Sequence, residues 1–264
     1  MSGVNFDINA LCIGHITKNE TDMQSGNNIL ALPEGFVTEA QALGASVRRT
    51  SGGFVVPSYL YTDPAMLREI PRIDEQYPIK LILEKIQNET SRPIVLKVTG
   101  PYSVLASVVE PSLLYRWLKK NPALVHTVLH QITTGLSAYI LQAILHGAKI
   151  ISLADPYANP SILGMGHYKE YAGAYLIELL RTVLLRSSGG LIHLCPHSSI
   201  PLEKAGYITV EAVPVKSSTS LYIDILFGLA VEKTVALTGH QCIYSRSVSG
   251  VQSLRILDTP GAHD

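Results

Sequence analysis

Charged side chains are scarce in this sequence: Asp, Glu, Lys and Arg make up 16% of its 264 residues, and 21 basic residues balance 21 acidic ones. With no basic block standing out, the electrostatic footprint of nucleic-acid binding is absent. Cysteine is rarer still. The three thiols, Cys12, Cys195 and Cys242, form no even framework, which argues against a disulfide-stapled protein and for a reducing compartment. Met1 to Asn9 lacks a basic segment followed by an apolar one, so no secretory signal is expected. Apolar runs are interrupted by Gly, His, Lys or Asp before the roughly 18 residues that a membrane span needs. No Gly-x-Gly-x-x-Gly turn follows a strand, which removes the usual dinucleotide site. The chain reads as cytoplasmic and soluble, with small molecules or proteins as partners and neither nucleic acid nor membrane.

What is abundant is apolar: 47% of the residues are hydrophobic. That composition suits strands covered by helices, which read as continuous apolar runs, and the length suits one α/β barrel of about 250 residues. The expectation is therefore a single barrel domain over residues 1–264. Short strands are expected at Leu11 to Ile13 and Ile29 to Leu32, a short helix at Glu39 to Gly44, and strand-like residues between Val47 and Tyr61. A helix over Ile79 to Gln87 then precedes the strand Ile94 to Val98. Asn121 can cap, and Pro122 can open, a helix whose apolar positions keep a 3.6-residue period as far as Gly147. Strands at 149–153, 191–195, 208–215 and 234–237 alternate with helices near 168–186 and 219–229. Such alternation predicts parallel pairing with right-handed crossovers, a TIM (β/α)8 barrel first and a doubly wound sheet second.

In a parallel barrel the chemistry sits where strands end. That rule selects Thr99-Gly100-Pro101-Tyr102, Asp155-Pro156, the pair His193 and Cys195, and Gly239-His240-Gln241-Cys242. Side chains two apart on a strand share a face, so His193 and Cys195 converge. An imidazole and a thiol are zinc ligands, and Cys242 supplies a third, leaving one open position as catalytic zinc requires. Zinc with two thiolates and a neutral imidazole is formally neutral and suits activation of an incoming thiol. The competing reading is plain core packing, since buried cysteine is common. Cys12 reads as packing. His197 and His240 flank the ligand regions and could substitute in them. His126, His130 and His146 read as surface or satisfied histidines on the long helix, and Asp155 as either a turn residue or a substrate contact.

Several motifs together resemble one family. Val98-Thr99-Gly100-Pro101-Tyr102-Ser103 with Leu105-Ala106-Ser107, Asn121-Pro122, Gly147-Ala148 leading to Leu153-Ala154-Asp155-Pro156, and Leu191-Ile192-His193-Leu194-Cys195 are similar to the uroporphyrinogen decarboxylase superfamily. The pattern His-x-Cys with a distant Cys resembles its cobamide-dependent methyltransferase branch, the methylcobamide:coenzyme M methyltransferases, as does Glu39-Ala40-Gln41-Ala42-Leu43-Gly44. The resemblance covers about residues 30 to 240. It implies a barrel, shortened at both ends, with zinc on His193, Cys195 and Cys242. The implied reaction moves a methyl group from a methylcobamide (corrinoid) on a partner corrinoid protein to a small thiol such as coenzyme M. Asp155, Tyr102 and Glu211 are the expected substrate-side residues, Glu211 as a carboxylate that can approach the metal. Two alternatives stand beside it: a tetrapyrrole decarboxylase, against which the missing N-terminal arginine motif counts, and a non-catalytic homologue that binds the corrinoid protein.

Overall fold

The computed structural model describes residues 29–33, 37–50, 53–214, 221–245 and 250–258. The strand expected at Leu11 to Ile13, and Cys12 with it, lies outside them. Strands and helices alternate through most of this span. β1 (Leu30–Leu32) and α1 (Thr38–Ala42) are followed by the antiparallel hairpin of β2 (Arg48–Thr50) and β3 (Gly53–Val55). Next come α2 (Tyr77–Asn88), β4 (Ile94–Thr99), α3 (Pro101–Val108), α4 (Pro111–Lys120), α5 (Pro122–Leu145) and β5 (Ile150–Ala154). Two short helical turns and the π-helical Tyr168–Gly173 lead into α6 (Ala174–Arg186). β6 (Leu191–Leu194), α7 (Pro196–Lys204), β7 (Ile208–Val213), α8 (Tyr222–Glu232), β8 (Leu237–Gly239) and β9 (Val251–Ile256) complete the order.

Five strands pair in parallel in the order β1-β4-β5-β6-β8, the arc of an α/β barrel. The sequence pattern foresees this part because each crossover carries a helix that returns the chain. It expects β7 as a strand, at 208–215, but neither β9 nor the antiparallel pairing of the two. β9 pairs antiparallel with both β8 and β7, so the seven-stranded sheet ends in an antiparallel ribbon, with β1 and β7 at its edges among the described residues. β8 and β9 follow one another in the chain and pair antiparallel, and alternation alone gives no sign of that pairing.

Alternate residues of the strands serve different layers. Leu96, Val98, Ile151, Leu153, Ile192 and Leu194 enter the main core with α3, α5 and α6. Val95, Ile150 and Leu191 point to the opposite face and form a smaller cluster with Tyr222, Ile223, Ile225 and Leu226 of α8. The largest packed helix pair is α5 against α6. By length and composition α5 could cross a membrane, yet 56% of its most apolar window is buried inside the fold. Its Thr133 and Ser137 hydroxyls bond carbonyls one turn back, each at 2.8 Å. Pro122 opens α5 as expected, but Asn121 makes no side-chain capping bond there. The bond is found one helix earlier, where Glu110 accepts from the backbone of Ser112 and Leu113 at 3.1 and 2.9 Å.

Candidate active site at the strand ends

His193 lies on β6 and is fully buried. Cys195, 1% exposed, follows directly after that strand and opens α7 (φ −52, ψ 143). Its amide is held by the Leu153 carbonyl at 3.0 Å. His193 Nε2 meets the Gln241 carbonyl at 2.9 Å. A carbonyl only accepts, so Nε2 carries the proton and donates. This contact brings the segment before Cys242 against β6, across 48 residues of sequence.

Register places His193 in a row of polar residues running across one face of the sheet. Lys97 is opposite Ser152, Ser152 opposite His193, His193 opposite Thr238, Thr238 opposite Ser253, and Ser253 opposite Glu211. Lys97, Ser152 and Thr238 are buried with the histidine. The row directly below, Val95, Ile150 and Leu191, is apolar. Motif reading misses Lys97, Ser152 and Thr238 because each is a single polar residue inside an apolar strand. A signal does exist: a polar side chain at the same level of three successive strands is costly to bury without a purpose.

Glu211 belongs to the same row but stands on edge strand β7, exposed, three strands from His193 and therefore roughly 14 Å away. The structure does not bring it to the histidine. Tyr222 of α8 sets its ring edge against His193, with centroids 5.8 Å apart and an interplanar angle of 69°. Burial pushes the Tyr222 phenol up to about 12, with the nearby Cys242 adding to the rise.

Asp155 and Tyr102 point away from this face. Asp155, 0% exposed, accepts the Ser103 amide at 2.7 Å and so caps the N-terminus of α3 from the end of β5. Its own amide donates to Ser198 Oγ at 2.8 Å. Burial raises the Asp155 carboxyl to about 6 despite the opposing hydrogen bonds from Ser103 and Tyr102. Burial first, and the Asp155 charge second, raise the Tyr102 phenol. Gly100 makes this junction possible: a Cβ there would stand 2.4 Å from Asp155 Cβ and Cγ.

Glu39 of α1 is the second carboxyl at these strand ends. It accepts from Thr99 N at 3.1 Å and from Thr99 Oγ1 at 3.0 Å. Burial drives it up to about 7 against the lowering effect of those bonds. Next along the rim, Ser199 Oγ accepts the His240 amide at 2.9 Å and donates to the Cys195 carbonyl at 3.3 Å. His240 adopts left-handed backbone (φ 64) and pairs with Glu203 at 2.8 Å. Ser198 and Ser199 thus lace the ends of β5 and β8 to that of β6.

One imidazole and two thiols form a donor set chemically suited to zinc. Their placement does not yet fit it. Among the described residues no group of three or more His, Cys, Asp or Glu is gathered to hold a metal ion.

A parallel sheet with helical crossovers, whose polar residues collect at the strand ends and on one face, defines an α/β protein of the barrel class. Comparison with known proteins narrows this. Residues 24–241 match the family described as uroporphyrinogen decarboxylase (URO-D), and the chain belongs to that family. A methylated-thiol–coenzyme M methyltransferase of Methanosarcina mazei is 27% identical over 165 residues, 59% of this chain and 44% of the relative. The methylcobamide:CoM methyltransferase MtaA of Methanosarcina barkeri is 24% identical over 143 residues, 54% of this chain and 39% of the relative. The uroporphyrinogen decarboxylase of Schizosaccharomyces pombe is 25% identical over 171 residues, 60% of this chain and 45% of the relative. The chain thus spans less than half the length of these curated relatives. A solved methyltransferase from Methanosarcina mazei shares the fold, with a TM-score of 0.56 at 21% identity over 67% of this chain and 54% of that one.

Proposed function

We propose that the chain serves a methyltransferase of the methylcobamide:thiol type, in which a methyl group passes from a methylated corrinoid on a partner protein to a small thiol. The observation that carries this reading is the contact between His193 Nε2 and the Gln241 carbonyl, which joins the two ligand-bearing segments at the strand ends. Relatives named as methylcobamide:CoM and methylated-thiol–coenzyme M methyltransferases support it. In this reading the thiolate attacks the methyl carbon in line and displaces the reduced cobalt. Positioning and a low-dielectric setting supply most of the rate, and no acid–base pair need act on the methyl group. The buried row of Ser152, His193 and Thr238 excludes water from the sulfur.

A zinc ion on His193, Cys195 and Cys242 belongs to this proposal; His193 would ligate through Nδ1 while Nε2–H stays on the Gln241 carbonyl. The test incubates the purified chain with methylcobalamin and coenzyme M, quantifies thioether, and measures bound metal. Zinc-dependent thioether formation supports the reading; a metal-free protein that makes no thioether removes it. That no three donors are gathered among the described residues favours one second reading, a non-catalytic homologue that docks a corrinoid protein. In that case Cys195→Ala leaves corrinoid-protein binding unchanged.

A further inference from the structure

The smaller core cluster lies on the face of the sheet that carries His193. Its buried members are aliphatic, Val95, Ile150 and Leu191 from the strands and Ile223, Ile225 and Leu226 from α8 among them, with one exception in the described residues. Tyr222, the first residue of α8, is fully buried and alone brings a polar atom to the cluster. Its ring edge meets the His193 imidazole, and the half-buried Cys242 lies near it. The hydroxyl makes no hydrogen bond among the described residues; Thr238 stands near it without meeting hydrogen-bonding geometry. A phenylalanine would fill the same space without leaving a donor unsatisfied. Native structures hold few such groups, because desolvating a hydroxyl without returning a bond costs stability. Tyr139 and Tyr168 in the main core carry unbonded hydroxyls as well. Tyr222 differs in place: it lies against His193, beside the segment Gln241–Cys242, which is half-buried and within reach of a small solute.

We propose that Tyr222 is a further binding residue of this site, its hydroxyl donating a hydrogen bond to the sulfur of the acceptor thiol. The identity of the ligand rests on the methyl-transfer reading; the presence of an unused donor does not. A donor beside His193 satisfies a thiolate in an aliphatic surround, where an unpaired charge is costly, and fixes the sulfur before transfer. When the thiol binds, the hydroxyl gains the partner that the fold alone withholds.

Tyr222→Phe in the full 264-residue chain tests the proposal through two measurements of opposite sign. The urea unfolding midpoint is expected to hold or rise, since the change removes an unbonded buried hydroxyl. The dissociation constant for coenzyme M, measured by calorimetry with no methyl donor or added metal, is expected to rise at least fivefold. Tyr168→Phe removes an unbonded hydroxyl from the main core and is the control; its dissociation constant should stay within twofold of the native value. A lower midpoint for Tyr222→Phe shows the hydroxyl bonded within the fold and overturns the proposal. So does an unchanged dissociation constant, equal weakening by both variants, or a native chain that takes up no thiol. A chain that binds coenzyme M through Tyr222 yet forms no thioether loses the methyltransferase reading and keeps this one. Thioether formation with an affinity indifferent to Tyr222→Phe does the reverse.

Discussion

His193 Nε2 and the Gln241 carbonyl, 2.9 Å apart, join β6 to the segment that follows β8. Both partners sit at the ends of neighbouring parallel strands, so this one bond sets how closely the regions of Cys195 and Cys242 approach. His193→Ala deletes a fully buried side chain and removes its hydrogen bond to the half-buried Gln241 carbonyl. A loss of about 2–4 kcal/mol is expected in urea unfolding. His193→Gln, which retains a donor, should recover part of it.

Gly100→Ala is expected to be among the most damaging single-methyl changes in the chain. Its Cβ would fall 2.4 Å from Asp155 Cβ and Cγ, and Asp155 cannot yield without giving up the Ser103 amide. Destabilisation of roughly 3 kcal/mol or more follows from overpacking plus a lost cap. Gly228→Ala on α8 meets nothing within 4 Å and should stabilise by about 0.5–1 kcal/mol. Thermal unfolding of the two variants checks both signs.

Buried Glu39 titrates near 7 in the folded chain, against 4.5 when unperturbed. Across this window the native state holds the proton that the unfolded state has released, so stability falls as pH rises from about 4.5 to about 7. The effect approaches about 3 kcal/mol at full ionisation. Asp155, raised from 3.8 to about 6, adds a decline of the same sign at lower pH. Glu39→Gln keeps a polar partner for Thr99 and should flatten the upper part of the curve. Denaturant titrations between pH 5 and 8 measure it, and an unchanged slope in the variant would falsify this assignment.

Zinc analysis of the purified chain should give about one ion per chain under the proposed function. Cys195→Ala and Cys242→Ala should each lower metal affinity at least tenfold and remove zinc-dependent thioether formation. Glu211→Gln, exposed and three strands distant, should change thioether formation less than twofold. Atomic absorption and a product assay on the same samples resolve these three expectations.

Several elements were legible before any fold was known. Apolar period and the Pro122 start mark α5 because helix geometry repeats every 3.6 residues, and the runs at 94, 150 and 191 mark strands because a strand covered on both faces is apolar throughout. Glu211 shows where that reasoning stops: alternation assigns it a strand and a face but not a neighbour, and the intervening β8 and β9 put it out of reach. No strand is expected at β9, whose buried positions Val251 and Leu254 stand three apart and give no two-residue alternation, and its antiparallel direction follows from its pairing with β7 and β8.

What the sequence by itself determined is therefore local: helices, strands, and the turn motifs that tie the chain to its family. Register and crossover decided the rest. They aligned Lys97, Ser152, His193 and Thr238 into one buried row, brought Gln241 onto His193, set Asp155 under α3 as a cap, and laid α8 across the polar face. Each of these depends on residues far apart in the chain being held a few ångströms apart, and only the closing of long loops by collective burial of apolar surface produces that proximity.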